Sequence, residues 1–298
     1  MFYRLIKIKC DEWILSSLNM GRMNNKLFII GILCLLQLFN ALSAQTYEEW
    51  VQKSCDCIDK EDWVAAEEAL KNAMREEPGN PANFALLCNL GTVQRRQGKK
   101  EEAVLSYTAA LARHPRSLAI LENRASLYTE LGENDKAIND YNALLIIEPD
   151  DQEALYCRGL LFLAKKQYAA AEADFDKILS LNEKSVRARL GYAILEKARG
   201  NYEESERIYN FLIGEMPRDW ILYEGRADLY FLMGKNSRAM ADLNKLFVET
   251  TPTASLYILR SKVKIALYEK AGALKDLEKA KEMGYDPAIV EELERMCK

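Results

Sequence analysis

The chain repeats itself every 34 residues, and this period constrains the fold more than any other feature. Stretches beginning at Gly98 (GKKEEAVLSYTAALARHPRS), Gly132 (GENDKAINDYNALLIIEPDD) and Gly200 (GNYEESERIYNFLIGEMPRD) share one pattern. Each has a glycine, an amphipathic helix of about four turns, and a proline near its end. Aligned on that pattern, units start at Tyr47, Phe84, Leu118, Gln152, Val186, Trp220 and Ala254, after one step of 37 residues and five of 34. Each unit reads as two amphipathic helices joined by a tight turn. Two columns of the alignment are uniformly small. Eight places into the units stand Ser54, Gly91, Ala125, Gly159, Ala193, Ala227 and Ser261; twelve places later stand Ala66, Ala103, Ala137, Ala171, Ser205, Ala239 and Ala273. Small side chains at both places let two helix backbones approach closely where they cross. Four places further the column turns large, with Leu70, Tyr107, Tyr141, Phe175, Tyr209, Leu243 and Leu277, which fill the space between neighbouring units.

The unit ends carry their own signals. Pro78, Pro115, Pro149, Pro217 and, one place late, Pro252 stop the second helices, because proline lacks the N–H and clashes with the preceding turn. Gly98, Gly132, Gly200 and Gly234 supply the turn between helices. This pattern closely resembles the tetratricopeptide repeat. The resemblance covers units 47–80, 84–117, 118–151, 152–185, 186–219, 220–253 and 254–287. Its local departures are Glu183 in place of proline, Ser205 in place of alanine, Tyr268 in place of the turn glycine, and three extra residues around Gly79–Pro81. The expected fold is all-α: a right-handed α-solenoid of helix-turn-helix repeats, closed by residues 288–298 as a capping helix. A generic helical bundle would not keep two small columns through seven units.

Composition narrows the function. Of the 298 residues, 49% are apolar and 29% charged, which is a globular rather than a disordered balance. A net charge of -4 gives no footprint for nucleic acid. His114 is the sole histidine, so most acid–base and metal chemistry would have to run without imidazole. Residues 27–36 (LFIIGILCLL) form an unbroken apolar run, with Arg22 and Lys26 before it and Ala41, Ser43 and Ala44 after it. Basic, apolar, then small is the order of a secretory signal peptide. The run is short for a bilayer span, which needs roughly 20 residues. Cleavage is expected after Ala44, making 1–44 a signal region, with retention as an anchor left open. Residues 1–19 fit no signal pattern, and Met20 or Met23 would each begin a signal of ordinary length. Subtracting the five basic and two acidic residues of 1–44 leaves a net charge of -7, which disfavours anionic lipid and nucleic acid as partners. The expected location is exported, in the periplasm or at the envelope.

What the resemblance implies for function is a non-enzymatic scaffold that holds a protein or peptide partner along the concave groove lined by the first helices. Places two, five, nine, twelve and thirteen of each unit should face that groove. The candidates are Arg95, Arg96, Tyr156, Leu160, Leu163, Leu190, Ile194, Lys197, Asp228 and Phe231. They make the groove basic near its start, apolar in its middle and acidic toward the sixth unit. Exposed contiguous apolar surface marks a contact site; the competing reading is that these side chains are core. The lysine and asparagine that clamp a terminal carboxylate in chaperone-binding relatives have no full match here, where Val51, Cys55, Asn89, Ala119 and Asn123 stand. No cofactor is expected, and C-x-C at Cys55 and Cys57 lacks a second pair or a histidine to complete a metal shell. A disulfide between Cys55 and Cys88, on adjacent first helices in an oxidising compartment, stands beside the alternative of free cysteines as small core residues. Self-assembly into a structural component, and binding of small molecules such as glycans, are the remaining alternatives.

Overall fold

The computed structural model describes residues 45–298. The signal-like stretch lies outside the described residues. Fifteen α-helices and no strand occur among the described residues, and none of these helices is long and apolar enough to cross a membrane. They divide into two compact units, one ending at Leu86 and the other running from Leu87 to Lys298.

In the first unit, α1 (Tyr47–Asp59) and α2 (Trp63–Glu76) form a helical hairpin. Thr46 and Glu49 close a capping box at the start of α1, each side chain accepting from the other's backbone N–H. Ser54, Ala66 and Leu70 are buried where the two helices cross. The longer turn around Gly79–Pro81 is tied by Asn83, whose side chain donates to the Glu77 carbonyl at 2.7 Å and accepts from the Tyr47 hydroxyl at 3.2 Å.

The second unit begins within α3 (Asn83–Arg96), followed by α4 (Lys100–Arg113). Four further pairs follow: α5 (Leu118–Glu130) with α6 (Asn134–Ile147), α7 (Gln152–Ala164) with α8 (Tyr168–Leu181), α9 (Val186–Arg199) with α10 (Tyr202–Glu215), and α11 (Trp220–Leu232) with α12 (Asn236–Glu249). The last pair is α13 (Ala254–Ala266) with α14 (Lys270–Glu282), and α15 (Pro287–Met296) covers both of its helices. From α4 onward each helix packs on the next, and first helices also touch first helices, α7 with α9, α9 with α11 and α11 with α13. This is the serial stacking of an α-solenoid.

The repeat columns explain the stacking. All fourteen residues of the two small columns are buried, and the large column is no more than 4% exposed. Phe175 shows why the small residues are needed. A Cβ added to Gly159 in its own unit, or to Gly191 in the next, would sit 2.6 Å from its ring. The ring is therefore clamped between two first helices, and burying such a side chain contributes about 1.5–3 kcal/mol. Ser205 keeps the alanine column dry by donating its hydroxyl to the Ala193 carbonyl at 2.7 Å.

The departures from the pattern are absorbed locally. Helix α8 ends at Leu181 without a proline. The Asn182 side chain accepts from the Lys184 N–H, and Ser185 caps α9 by accepting from the Ala188 N–H. At the fifteenth place of every unit the backbone is left-handed, with φ between 57° and 86°, at Glu61, Gly98, Gly132, Lys166, Gly200, Gly234 and Tyr268. Three of the seven turns thus hold a side chain where glycine is favoured.

Candidate functional site

The candidate residues lie on the first helices of the second unit, in rows that run from one repeat to the next. The row of fifth places holds Cys88, Glu122, Tyr156, Leu190 and Glu224; the row of ninth places holds Thr92, Ser126, Leu160, Ile194 and Asp228. Tyr156, Leu160, Leu190 and Ile194 are half-buried. They present partial apolar surface while their other sides pack inward. The Tyr156 ring lies 6.2 Å from Phe175, and the Arg187 guanidinium sits over it at 5.6 Å.

Most charged candidates are neutralised by a neighbouring repeat. Arg95 donates to Ser126 at 2.9 Å and to the Glu130 carboxylate at 3.0 Å, and this bond holds the Glu130 carboxyl below its ordinary range. Lys197 donates to Asp228 at 2.6 Å. Arg187 is paired with Glu153. Arg96 is exposed. The Arg95 and Lys197 contacts link the twelfth place of one unit to the ninth and thirteenth of the next, and Arg187–Glu153 links second places.

One candidate is corrected. Leu163 is a core residue, 8% exposed, not a groove anchor. It shares the twelfth place with Arg95 and Lys197, whose long stems carry their charges out to the face; a leucine at the same Cα cannot reach and stays between the helices. Phe231, at the same place in the sixth unit, is half-buried and packs against the core cluster around Leu243 and Leu246. The five cysteines of the described residues are free thiols. Cys55 is exposed in the first unit, whereas Cys88 in the second is half-buried and accepts from the Asn123 amide at 3.9 Å. Among the described residues no three His, Cys, Asp or Glu side chains are grouped to hold a metal ion.

A second set of polar residues escaped the sequence reading. Arg124, Arg158, Arg226 and Arg260 each grip an aspartate sixteen residues on, Asp140, Asp174, Asp242 and Asp276, through Nε and Nη2 at 2.6–2.9 Å. The fork joins the seventh place on the first helix to the twenty-third on the second. In three units the free Nη1 reaches back to the preceding repeat, to Thr108, Asn142 and Asn210. All four pairs thus pin a unit internally, and three of them also tie it to the preceding repeat. The fifth unit differs. Tyr192 replaces the arginine, Ile208 replaces the aspartate, and the Tyr192 hydroxyl donates back to Asp176. Comparing the seventh and twenty-third columns for charge, instead of size, would have found the set.

Models of the tetratricopeptide repeat match residues 58–117, 88–151, 122–186 and 162–225, together more than half of the chain. The chain is similar to a tetratricopeptide repeat protein from Parabacteroides merdae of known crystal structure, with 65% identity and a TM-score of 0.81 over 85% of this chain and 99% of that one. It is similar in fold to PilW, a type IV pilus biogenesis factor, with 21% identity and a TM-score of 0.57 over 70% of this chain and 98% of that one. Human tetratricopeptide repeat protein 6 is 28% identical over 100 residues, 34% of this chain and 19% of that protein's length. Helix pairs, buried small columns and these matches agree: the chain belongs to the tetratricopeptide repeat family.

Proposed function

We propose that the chain is a non-enzymatic scaffold of the cell envelope, holding a segment of a partner protein along the face of its first helices. Tetratricopeptide repeat proteins generally mediate protein–protein interactions. The observation that carries the reading here is the half-buried apolar block Tyr156, Leu160, Leu190 and Ile194, continuous across two repeats and set on rigid, buried scaffolding. The basic, apolar and small order of residues 22–44 supports export.

The test is capture of the partner from envelope extract by wild-type protein and by Leu160→Glu/Ile194→Glu. These two are preferred to Tyr156, because Tyr156 also packs against Phe175. Capture should disappear in the variant while helicity is kept and melting stays cooperative, lowered by the two half-buried charges. Capture that persists would place the contact elsewhere and overturn the assignment.

A further inference from the structure

The charges on the first-helix face leave a specific remainder. Arg95, Arg187 and Lys197 are each committed to a carboxylate of the chain, Glu130, Glu153 and Asp228. Glu122 and Glu224 have no hydrogen-bond or ion-pair partner among the described residues. Both stand at the fifth place of a unit, Glu122 in the third and Glu224 in the sixth. Between them the same row holds Tyr156 and Leu190, and the neighbouring row holds Leu160 and Ile194. The face therefore reads carboxylate, apolar block, carboxylate. Glu122 is exposed; Glu224 is half-buried, and burial followed by the charge of Asp228 pushes its carboxyl above the ordinary range.

That remainder discriminates among occupants. An acidic segment would meet two uncompensated negative charges. A wholly apolar segment would cover both carboxylates without pairing them, a desolvation that has no return. A segment with a cation at each end satisfies both and still covers the apolar block. The first helices of the fourth, fifth and sixth repeats touch in series, which puts those axes about 8–10 Å apart; with a like step from the third repeat to the fourth, the span from Glu122 to Glu224 is about 25–30 Å. An extended chain advances about 3.3 Å per residue and covers that span in about eight or nine residues.

We propose that the face between Glu122 and Glu224 takes an extended partner segment carrying Lys or Arg at both ends of an alternating apolar stretch about eight residues long. This deepens the scaffold reading above and rests on it. The carboxylates set register at the two ends, and alternate side chains of the segment contact Leu160 and Ile194.

The experiment uses labelled synthetic peptides and fluorescence anisotropy. One peptide has Lys at both ends of seven alternating Leu and Ser residues. A second replaces both Lys by Glu, and a third brings the two Lys to within four residues. The expected result is that the first binds about tenfold tighter than either other, which is what two partly exposed ion pairs of about 0.7 kcal/mol each supply. Glu122→Gln/Glu224→Gln should erase the preference, and Glu122→Lys/Glu224→Lys should turn it toward the Glu-ended peptide. Equal binding of Lys-ended and Glu-ended peptides, or a preference surviving the double Gln variant, overturns the charge rule. If that equal binding is still lost in Leu160→Glu/Ile194→Glu, the scaffold reading stands without it. Lys-ended peptide binding undiminished in Leu160→Glu/Ile194→Glu overturns the reading of the face itself. Failure of all three peptides to bind overturns the proposed segment, leaving the reading of the face to partner capture.

Discussion

Replacing Arg158 with Met tests how the repeats are locked. Arg158 donates to both oxygens of Asp174, at 2.9 and 2.6 Å, and its third nitrogen reaches Asn142 at 2.7 Å. The Asp174 side chain is 6% exposed. Methionine keeps the length of the stem but strands a buried carboxylate, which costs about 3–5 kcal/mol. The fifth repeat supplies the internal control, because there Tyr192, Ile208 and Asp176 occupy the corresponding places. The triple variant Arg158→Tyr/Asp174→Ile/Asn142→Asp transplants that join. It removes the stranded charge and restores a hydrogen bond, so it should recover stability to within about 1 kcal/mol of wild type. Urea unfolding followed by circular dichroism reads both. A loss below about 1 kcal/mol for the single variant, or a triple variant as unstable as the single, would refute the account of the fork.

Four further outcomes are expected. Gly191→Ala drives a methyl to 2.6 Å from the Phe175 ring and should cost about 1–3 kcal/mol, seen as a lowered melting temperature. Tyr268→Gly relieves a left-handed φ of 61° and should stabilise by about 0.5 kcal/mol, the relief exceeding the added freedom of the unfolded chain; a melting temperature that falls would refute this. Bonding to Lys235 lowers the Glu206 carboxyl, so its contribution is present above the unfolded carboxylate pKa and is lost as pH falls through the folded one. Glu206→Gln should therefore flatten the acid limb of a stability–pH curve. Cys55 and Cys88 are free thiols, so the count of titratable thiols should be the same in protein prepared with and without reductant; two fewer without it would establish a disulfide.

Size patterns were legible in the sequence and charge geometry was not. The small residues at the eighth and twentieth places and the large ones at the twenty-fourth are a steric signal that survives alignment, and they occupy the buried crossings. The forks of Arg124, Arg158, Arg226 and Arg260 join residues sixteen apart on different helices, a spacing no single-helix periodicity picks out. Leu163 was misplaced for a related reason. Its column gives the position of a Cα, while the length of the side chain decides whether that position reaches the face. The left-handed backbone at Lys166 and Tyr268 likewise owes little to residue type. Closing bonds such as Glu269 N–H to the Lys264 carbonyl at 2.8 Å impose it.

The odd join between the fourth and fifth repeats bears on how such an array changes over generations. Tandem modules are gained and lost by duplication or excision of whole copies, and a module survives a new neighbour only where the contacts on both sides match. Tyr192 needs the acceptor Asp176 ahead of it, where other joins offer Thr108, Asn142 or Asn210 to an arginine. A shuffled fifth module would trade a charged acceptor for a neutral and weaker one, so the fourth and fifth copies should stay neighbours through evolution more often than other pairs.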